Sequence, residues 1–365
     1  MSNEEIDVKL ARIRRLLEEH GLAALLLRRV SSFAWATCGA ASHVNRASTF
    51  GESSLLITPV RRYVITNNIE ATRLEREEQL EAQGWEMHVS PWQEGQEVLG
   101  DLMPEGRMGA DCPYQDAVDL SLEIARSRAE LTPEEGERFR ELGGLCAQAI
   151  NSAVGAVRPG LHEHEIAGLL AQECDRRGVE AIVNLVATDE RIYRFRHPLP
   201  TGKTLECFAM LVLCGRKRGL VCSVSRLVHF GRLPEDLCRK QEAVARVDAA
   251  LIAATRPGAR LEEIFARGVA AYREVGFPEE WRLHHQGGPA GYEPREWLAT
   301  PTSAETVYAG EAFAWNPSIQ GTKSEDTILV GGTRAEILTA GAEWPMLQVV
   351  VDAQVIQRPA ILEVL

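Results

Sequence analysis

No stretch of the 365-residue sequence reaches the roughly 18 apolar residues needed to cross a bilayer. The opening residues, MSNEEIDVKLARIRRLLEEHG, lack the basic-then-apolar order of a secretory signal. They read instead as an acidic amphipathic helix with Ile6, Leu10, Ile13 and Leu17 on one face. No membrane partner is expected, and a cytoplasmic location is. A basic surplus is also missing: the formal charge is -12, which gives a nucleic-acid partner little electrostatic support. The one local basic run, Arg216-Lys217-Arg218, sits between two apolar segments and reads as a hairpin turn. The eight cysteines form no CxxC or CxxxC pattern, so they read as reduced core residues, with Cys222 the one to watch as a reactive thiol.

What is present is a globular composition, 45% hydrophobic and 25% charged, at a length that suits two domains. The first part alternates helix and strand: LAALLLR (22–28), SSLLITP (53–59), RYVIT (62–66), a charged helix around 69–83, and WEMHV (85–89). That order predicts a small α/β domain with a mixed or parallel sheet. Residues 117–131 carry the connection. Thr132-Pro133-Glu134-Glu135 then supplies a cap, a first-turn proline and a capping-box glutamate. The boundary is therefore placed near 130, with domains 1–130 and 131–365.

The second domain contains an internal repeat. RPGLHEHEIAGLLAQECDRRG begins at Arg158 and RPGARLEEIFARGVAAYREVG at Arg256; Glu165-Ile166 falls on Glu263-Ile264 and Gly178 on Gly276 without a gap. Each copy has a helix before the RPG turn, a second helix after it, and then a strand pair. Two copies of helix–helix–hairpin predict a pseudo-two-fold α+β domain with a central antiparallel sheet covered by helices.

This duplicated unit behind a smaller α/β domain resembles the pita-bread architecture of the creatinase and Xaa-Pro peptidase superfamily. FAWNPSIQGTKSEDTILV resembles its last two strands, Phe195-Arg196-His197-Pro198 the segment carrying its substrate-facing histidine, and HHQGGPAGYEPREW its His/Gly-rich loop. Peptidases of this family hold two divalent ions with two Asp, one His and two Glu. The resemblance places those positions at Val212 or Leu213, Ser223, Gly288, Asn316 and Glu325, so only Glu325 keeps its ligand type. No Asp or Glu occurs from Cys207 to Gly231, whatever the register. His284 and His285 could form a half-site with Glu325, but neighbours on an extended segment point to opposite faces. No metal and no other cofactor is expected.

Creatinase works without metal, so the resemblance still implies an active site. His197 is the candidate general acid/base and Glu325 the carboxylate that orients water or substrate. His284, His285, Tyr292, Arg295 and Glu296 crowd one Gly-rich loop. With Asn316, Arg226 and Lys323 they are the candidate substrate-binding residues, the last two being cations that stand in for lost metal charge. Lys323 lies two residues before Glu325 and so on the same strand face. The expected function is a metal-independent hydrolase acting on a C–N bond of a small carboxylate-bearing molecule, with Cys222 as nucleophile a weaker variant. The alternatives are a lyase, a non-catalytic ligand- or protein-binding module, and a family-label Xaa-Pro peptidase, which the missing ligands disfavour. A homodimer is expected, with the polar stretch Ser42-His43-Val44-Asn45-Arg46 reaching the partner's site.

Overall fold

The computed structural model describes residues 3–94, 99–341 and 343–365. The chain divides into two compact units, residues 1–129 with 218–220, and residues 130–217 with 221–365.

The first unit comprises α1 (Asn3–His20), β1 (Ala24–Arg29), α2 (Val30–Ala36), β2 (Phe50–Ile57), β3 (Arg62–Asn67), α3 (Ala71–Arg76), β4 (Glu86–Ser90), α4 (Leu99–Leu102), β5 (Met108–Ala110), β6 (Val118–Asp119) and α5 (Ser121–Ala129). Its strands form one mixed sheet in the order β4-β3-β2-β1-β5-β6. The apolar stripe of α1 is buried at Ile6, Leu10, Ile13 and Leu17. The predicted charged helix is shorter than its sequence suggested. Among α3 residues only Leu74 is buried, and the backbone turns left-handed at Gln79 (φ 55°), so one anchor holds little more than a turn and a half.

The second unit begins with α6 (Pro133–Ala156) and α7 (Glu163–Asp175), followed by β7 (Glu180–Thr188), α8 (Glu190–Arg194), β8 (Phe208–Lys217) and β9 (Leu220–Phe230). The second copy brings α9 (Glu235–Ala254), α10 (Leu261–Glu274), β10 (Gly287–Ala290), β11 (Ala312–Trp315), β12 (Ser318–Ile319), β13 (Thr322–Lys323) and β14 (Asp326–Val330). Four short strands close the chain: β15 (Ala335–Ile337), β16 (Met346–Val351), β17 (Gln354–Pro359) and β18 (Leu362–Val364). The capping box forms at α6, where Glu135 Oε2 accepts from Thr132 N at 2.7 Å and Thr132 Oγ1 from Glu135 N at 3.3 Å.

The repeat is one of conformation as well as sequence. Gly160 and Gly258 take φ of 93° and 86°, which an L side chain would strain. Gly160 N donates to Leu205 O and Gly258 N to Val307 O, at 2.9 and 2.8 Å. Leu205 N returns a bond to Leu161 O, as Val307 N does to Ala259 O. Each copy thus ties its second helix to the chain leading into its strands. The strands form two four-stranded sheets, β18-β9-β8-β7 and β10-β11-β14-β15. Two backbone amides join β9 to the β14 side: Ser225 N donates to the Glu325 carbonyl, and Ser223 N to the Thr327 side-chain Oγ1. β10 with β11, β11 with β14, β14 with β15 and β7 with β8 pair antiparallel, and β18 with β9 pairs parallel.

The segment from Thr322 to Thr327 has two contrasting faces. One is fixed by a buried ionic lattice. Asp326 accepts from Arg226 Nη2 at 3.0 Å and from Arg358 Nη2 at 2.6 Å, and Arg358 Nε donates to Asp248 at 2.8 Å. Ser324 and Thr339 hydroxyls complete it, at 2.5 Å from Asp248 and Asp326. Arg226, Arg358, Asp248 and Asp326 are no more than 1% exposed. Removing one partner from such a group strands the others without water. Arg358→Met is expected to lower unfolding free energy by about 3–5 kcal/mol in guanidinium titrations. Arg260→Ala, which breaks an exposed pair with Glu262, should change it by less than about 1 kcal/mol.

Candidate active site

The opposite face of that segment carries Lys323, Glu325 and Thr327. Glu325 is 2% exposed and fully paired. Its Oε2 accepts from Lys323 Nζ at 2.8 Å and Ser225 Oγ at 2.5 Å, and its Oε1 from Arg295 Nη2 at 3.0 Å. Arg295 Nη1 reaches Ser223 Oγ at 2.9 Å, and Ser223 Oγ lies 3.3 Å from Cys214 Sγ. Ser223 and Ser225 therefore face Glu325 from β9. Strand alternation sends Cys222, Val224 and Arg226 the other way.

Two sequence expectations change here. Arg226 does not stand beside Glu325; it is spent on Asp326 behind the strand. Its place is taken by Arg295, delivered by the loop after β10. Cys222 is buried against the Cys146 thiol of α6, away from Glu325, and so is no nucleophile for this site. Cys214, which the sequence reading passed over, is the thiol that faces the site. Burial and then Glu325 push it up to about 11, so it stays protonated at neutral pH.

The histidines come from two loops. His197 follows α8, and His284 follows a short 3₁₀ turn, Glu280–Leu283. Arg196 Nη2 bonds Glu280 at 2.5 Å and ties the loops together. His197 Nε2 then lies 3.0 Å from His284 Nε2. His285 does not point away as an extended neighbour would. Its ring stacks on His284 with centroids 4.4 Å apart and sits 5.7 Å from His197. Gln286 sets this fold-back, donating to the carbonyls of Trp281 and His284 while accepting from Tyr272 Oη. Gln286 stands among the polar residues of this loop in the sequence, whereas Tyr272 gave no signal there, because its role depends on α10 packing beside the loop.

The remaining loop candidates are structural. Tyr292 is 2% exposed and donates to Glu135 Oε1, while Glu296 Oε1 accepts from the amides of Tyr292 and Glu293. Asn316 is different. Ala314 pairs with Thr327 and Ser318 with Lys323, so the same register sets Asn316 opposite Glu325. Its Oδ1 is buried without a hydrogen-bond partner.

The five inherited ligand positions do not fit two divalent ions. Val212 packs in an apolar cluster with Phe208, Met210 and Leu227, and Leu213 lies on the other strand face. A side chain at Gly288 would place its Cβ 2.4 Å from Trp297 O, so no histidine is accommodated there. Ser223 and Asn316 are neutral, and both oxygens of Glu325 are held by cations. Among the described residues, two groups bring three ligand atoms within 4.8 Å of one another: His197 with His284 and His285, and Asp189 with Glu190 and Glu206. Asp189 and Glu190 share Lys203, and Asp189 also caps three amides of residues 206–208.

Burial alone would raise the Glu325 carboxyl; Lys323 and Arg295 outweigh it and bring it down to about 2. The same cations act on the imidazoles. Burial and then Lys323 depress His284 to about 2, burial and then Arg295 depress His285 to about 4, and His197 is lowered by burial and then Lys323. A lowered imidazole pKa favours the neutral ring, so His284 and His285 are neutral at pH 7. In ¹⁵N NMR, His284 and His285 should show no protonation between pH 6 and 8; a titration centred near 6.5 would refute this electrostatic picture.

Comparison with known proteins gives this geometry a family. A protein of Rhizobium rhizogenes named "Agropine synthesis cyclase" is 27% identical over 213 residues, which is 50% of this chain and 52% of that one. An uncharacterized peptidase of Staphylococcus aureus is 24% identical over 236 residues, 60% of this chain and 65% of that one. The matches thus span about half to two-thirds of those relatives. The fold is that of the Xaa-Pro dipeptidase from Bacillus anthracis, at TM-score 0.78 and 18% identity, covering 98% of this chain and 100% of that one. Residues 137–334 match metallopeptidase family M24, more than half of the chain. The chain belongs to that family, within the creatinase and Xaa-Pro peptidase superfamily.

Proposed function

We propose that this M24 protein is a metal-independent hydrolase of a C–N bond in a small carboxylate-bearing substrate. The observation that carries the proposal is the clamp of Lys323 and Arg295 on Glu325, beside the His197–His284 pair. Fixed cations occupy the place where this family's peptidases concentrate metal charge. A substrate carboxylate would be drawn to them. One imidazole nitrogen of His197 is engaged by His284, which leaves Nδ1 for the substrate. There it would take a proton from water as the water oxygen attacks carbon. The proton would pass to the departing nitrogen, which keeps the electron pair of the broken bond. The relative named as a cyclase raises a second reading, ring closure, which would use the same acid–base pair with an internal nucleophile in place of water.

Two measurements test the proposal. Protein expressed with added Mn, Co, Zn or Fe should retain well under one equivalent of metal in elemental analysis. One or two equivalents would favour the M24 peptidase chemistry or a histidine-bound ion. Glu325→Gln should abolish turnover of any substrate found in a screen of amides, guanidines and N-substituted amino acids, because both cations would lose their anchor. Asp326→Asn should act through stability alone. Undiminished turnover in Glu325→Gln would move the working site elsewhere, and with no turnover in any protein the binding-module reading leads.

A further inference from the structure

The clamp is not the whole of the site. Trp315 and Ile319 point into the core formed with α9 and α10, so Asn316 and Ser318 occupy the opposite face, toward Lys323 and Glu325. Both are nearly inaccessible, at 2% and 3% exposure. Yet Asn316 Oδ1, Ser318 Oγ and Arg295 Nε all lack hydrogen-bond partners. A buried polar atom left unpaired costs about 1–3 kcal/mol, and native proteins tolerate few. Here two such side chains are neighbours on one strand face, and the third belongs to the arginine of the clamp.

The charges narrow what would satisfy them. The clamp holds Lys323 and Arg295, both positive, against Glu325, negative. It therefore carries one more positive charge than negative. Lys323 spends one of its three donors on Glu325. A single carboxylate balances the site. A zwitterion, which brings no net charge, does not.

We propose that Asn316 and Ser318 form a subsite for a neutral hydrogen-bond donor, so that the ligand is a monoanionic carboxylate with a nearby amide N–H or hydroxyl, as in an N-acyl amino acid or a hydroxy acid. This rests on the reading above only in placing the carboxylate at Lys323 and Arg295. Asn316 Oδ1 accepts the ligand N–H or O–H, and Ser318 Oγ accepts from it or donates to the adjoining carbonyl. Free amino acids are disfavoured because their ammonium would sit beside two cations.

The experiment is calorimetry of the full chain with four small carboxylates, of which acetate, glycolate and glycine differ by one substituent. N-acetylglycine and glycolate, which have a carboxylate and a neutral donor, should bind at least about tenfold tighter than acetate. Glycine, the zwitterion, should bind no tighter than acetate. In Ser318→Ala and Asn316→Leu, each checked for an intact thermal transition, that gap should shrink to about twofold while acetate binding is unchanged. Equal binding of acetate and N-acetylglycine, preference for glycine, a gap untouched in both variants, or no binding by any probe would each overturn the subsite. If one variant does not fold, the other decides. None of these probes need be turned over, so a flat series defeats the subsite and leaves the acid–base reading standing. A failed Glu325→Gln turnover test defeats the acid–base reading and leaves the subsite measurable.

Discussion

The site depends on one carboxylate held by two cations inside the protein. Glu325 is buried, so its charge is sustained by Lys323 and Arg295 within 3.0 Å. Those cations come from very different places, Lys323 from two residues away on the same strand and Arg295 from a distant loop. The carboxylate therefore organises the loop as much as the loop organises it. Behind the strand, Asp326 with Arg226 and Arg358 does the same for the backbone. Alternation along Lys323-Ser324-Glu325-Asp326-Thr327 separates the two ionic systems, one serving the site and one the fold.

Burial first, and then the positive charges that lower Glu325, lower the histidines as well. An imidazolium beside Lys323 and Arg295 would add a third positive charge in a half-buried space. The neutral form wins, and a neutral ring is the form that accepts a proton. Charge balance, backbone geometry and the proposed chemistry are thus linked through the same three side chains. Metal charge and fixed side-chain charge are alternative ways to meet the same electrostatic need. Gly288, packed against Trp297 O, closes the way back to the family's metal-binding histidine at that position.

The duplicated helix–helix–strand unit holds the architecture independently of the residues at the candidate site. The repeat is maintained by left-handed glycines, by turn-to-strand backbone bonds and by apolar cores such as the cluster of α9, α10 and β14. None of these features involves Ser223, Gly288, Asn316 or Glu325.

By itself the sequence determined the repeat, the capping box of α6, the amphipathic stripe of α1 and the missing carboxylates between Cys207 and Gly231. Each is written in local spacing or composition, which reports period, turn chemistry and charge directly. It also placed Lys323 and Glu325 on one face, because residues two apart on a strand share a face. Tertiary structure alone decided which cation meets which carboxylate. Strand alternation sent Arg226 to Asp326, and the loop after β10 brought Arg295 to Glu325. The fold also stacked His284 on His285, against the extended-chain expectation. Partners from separate elements are selected by register and by the cost of burying an unpaired charge, and neither quantity can be read along the chain.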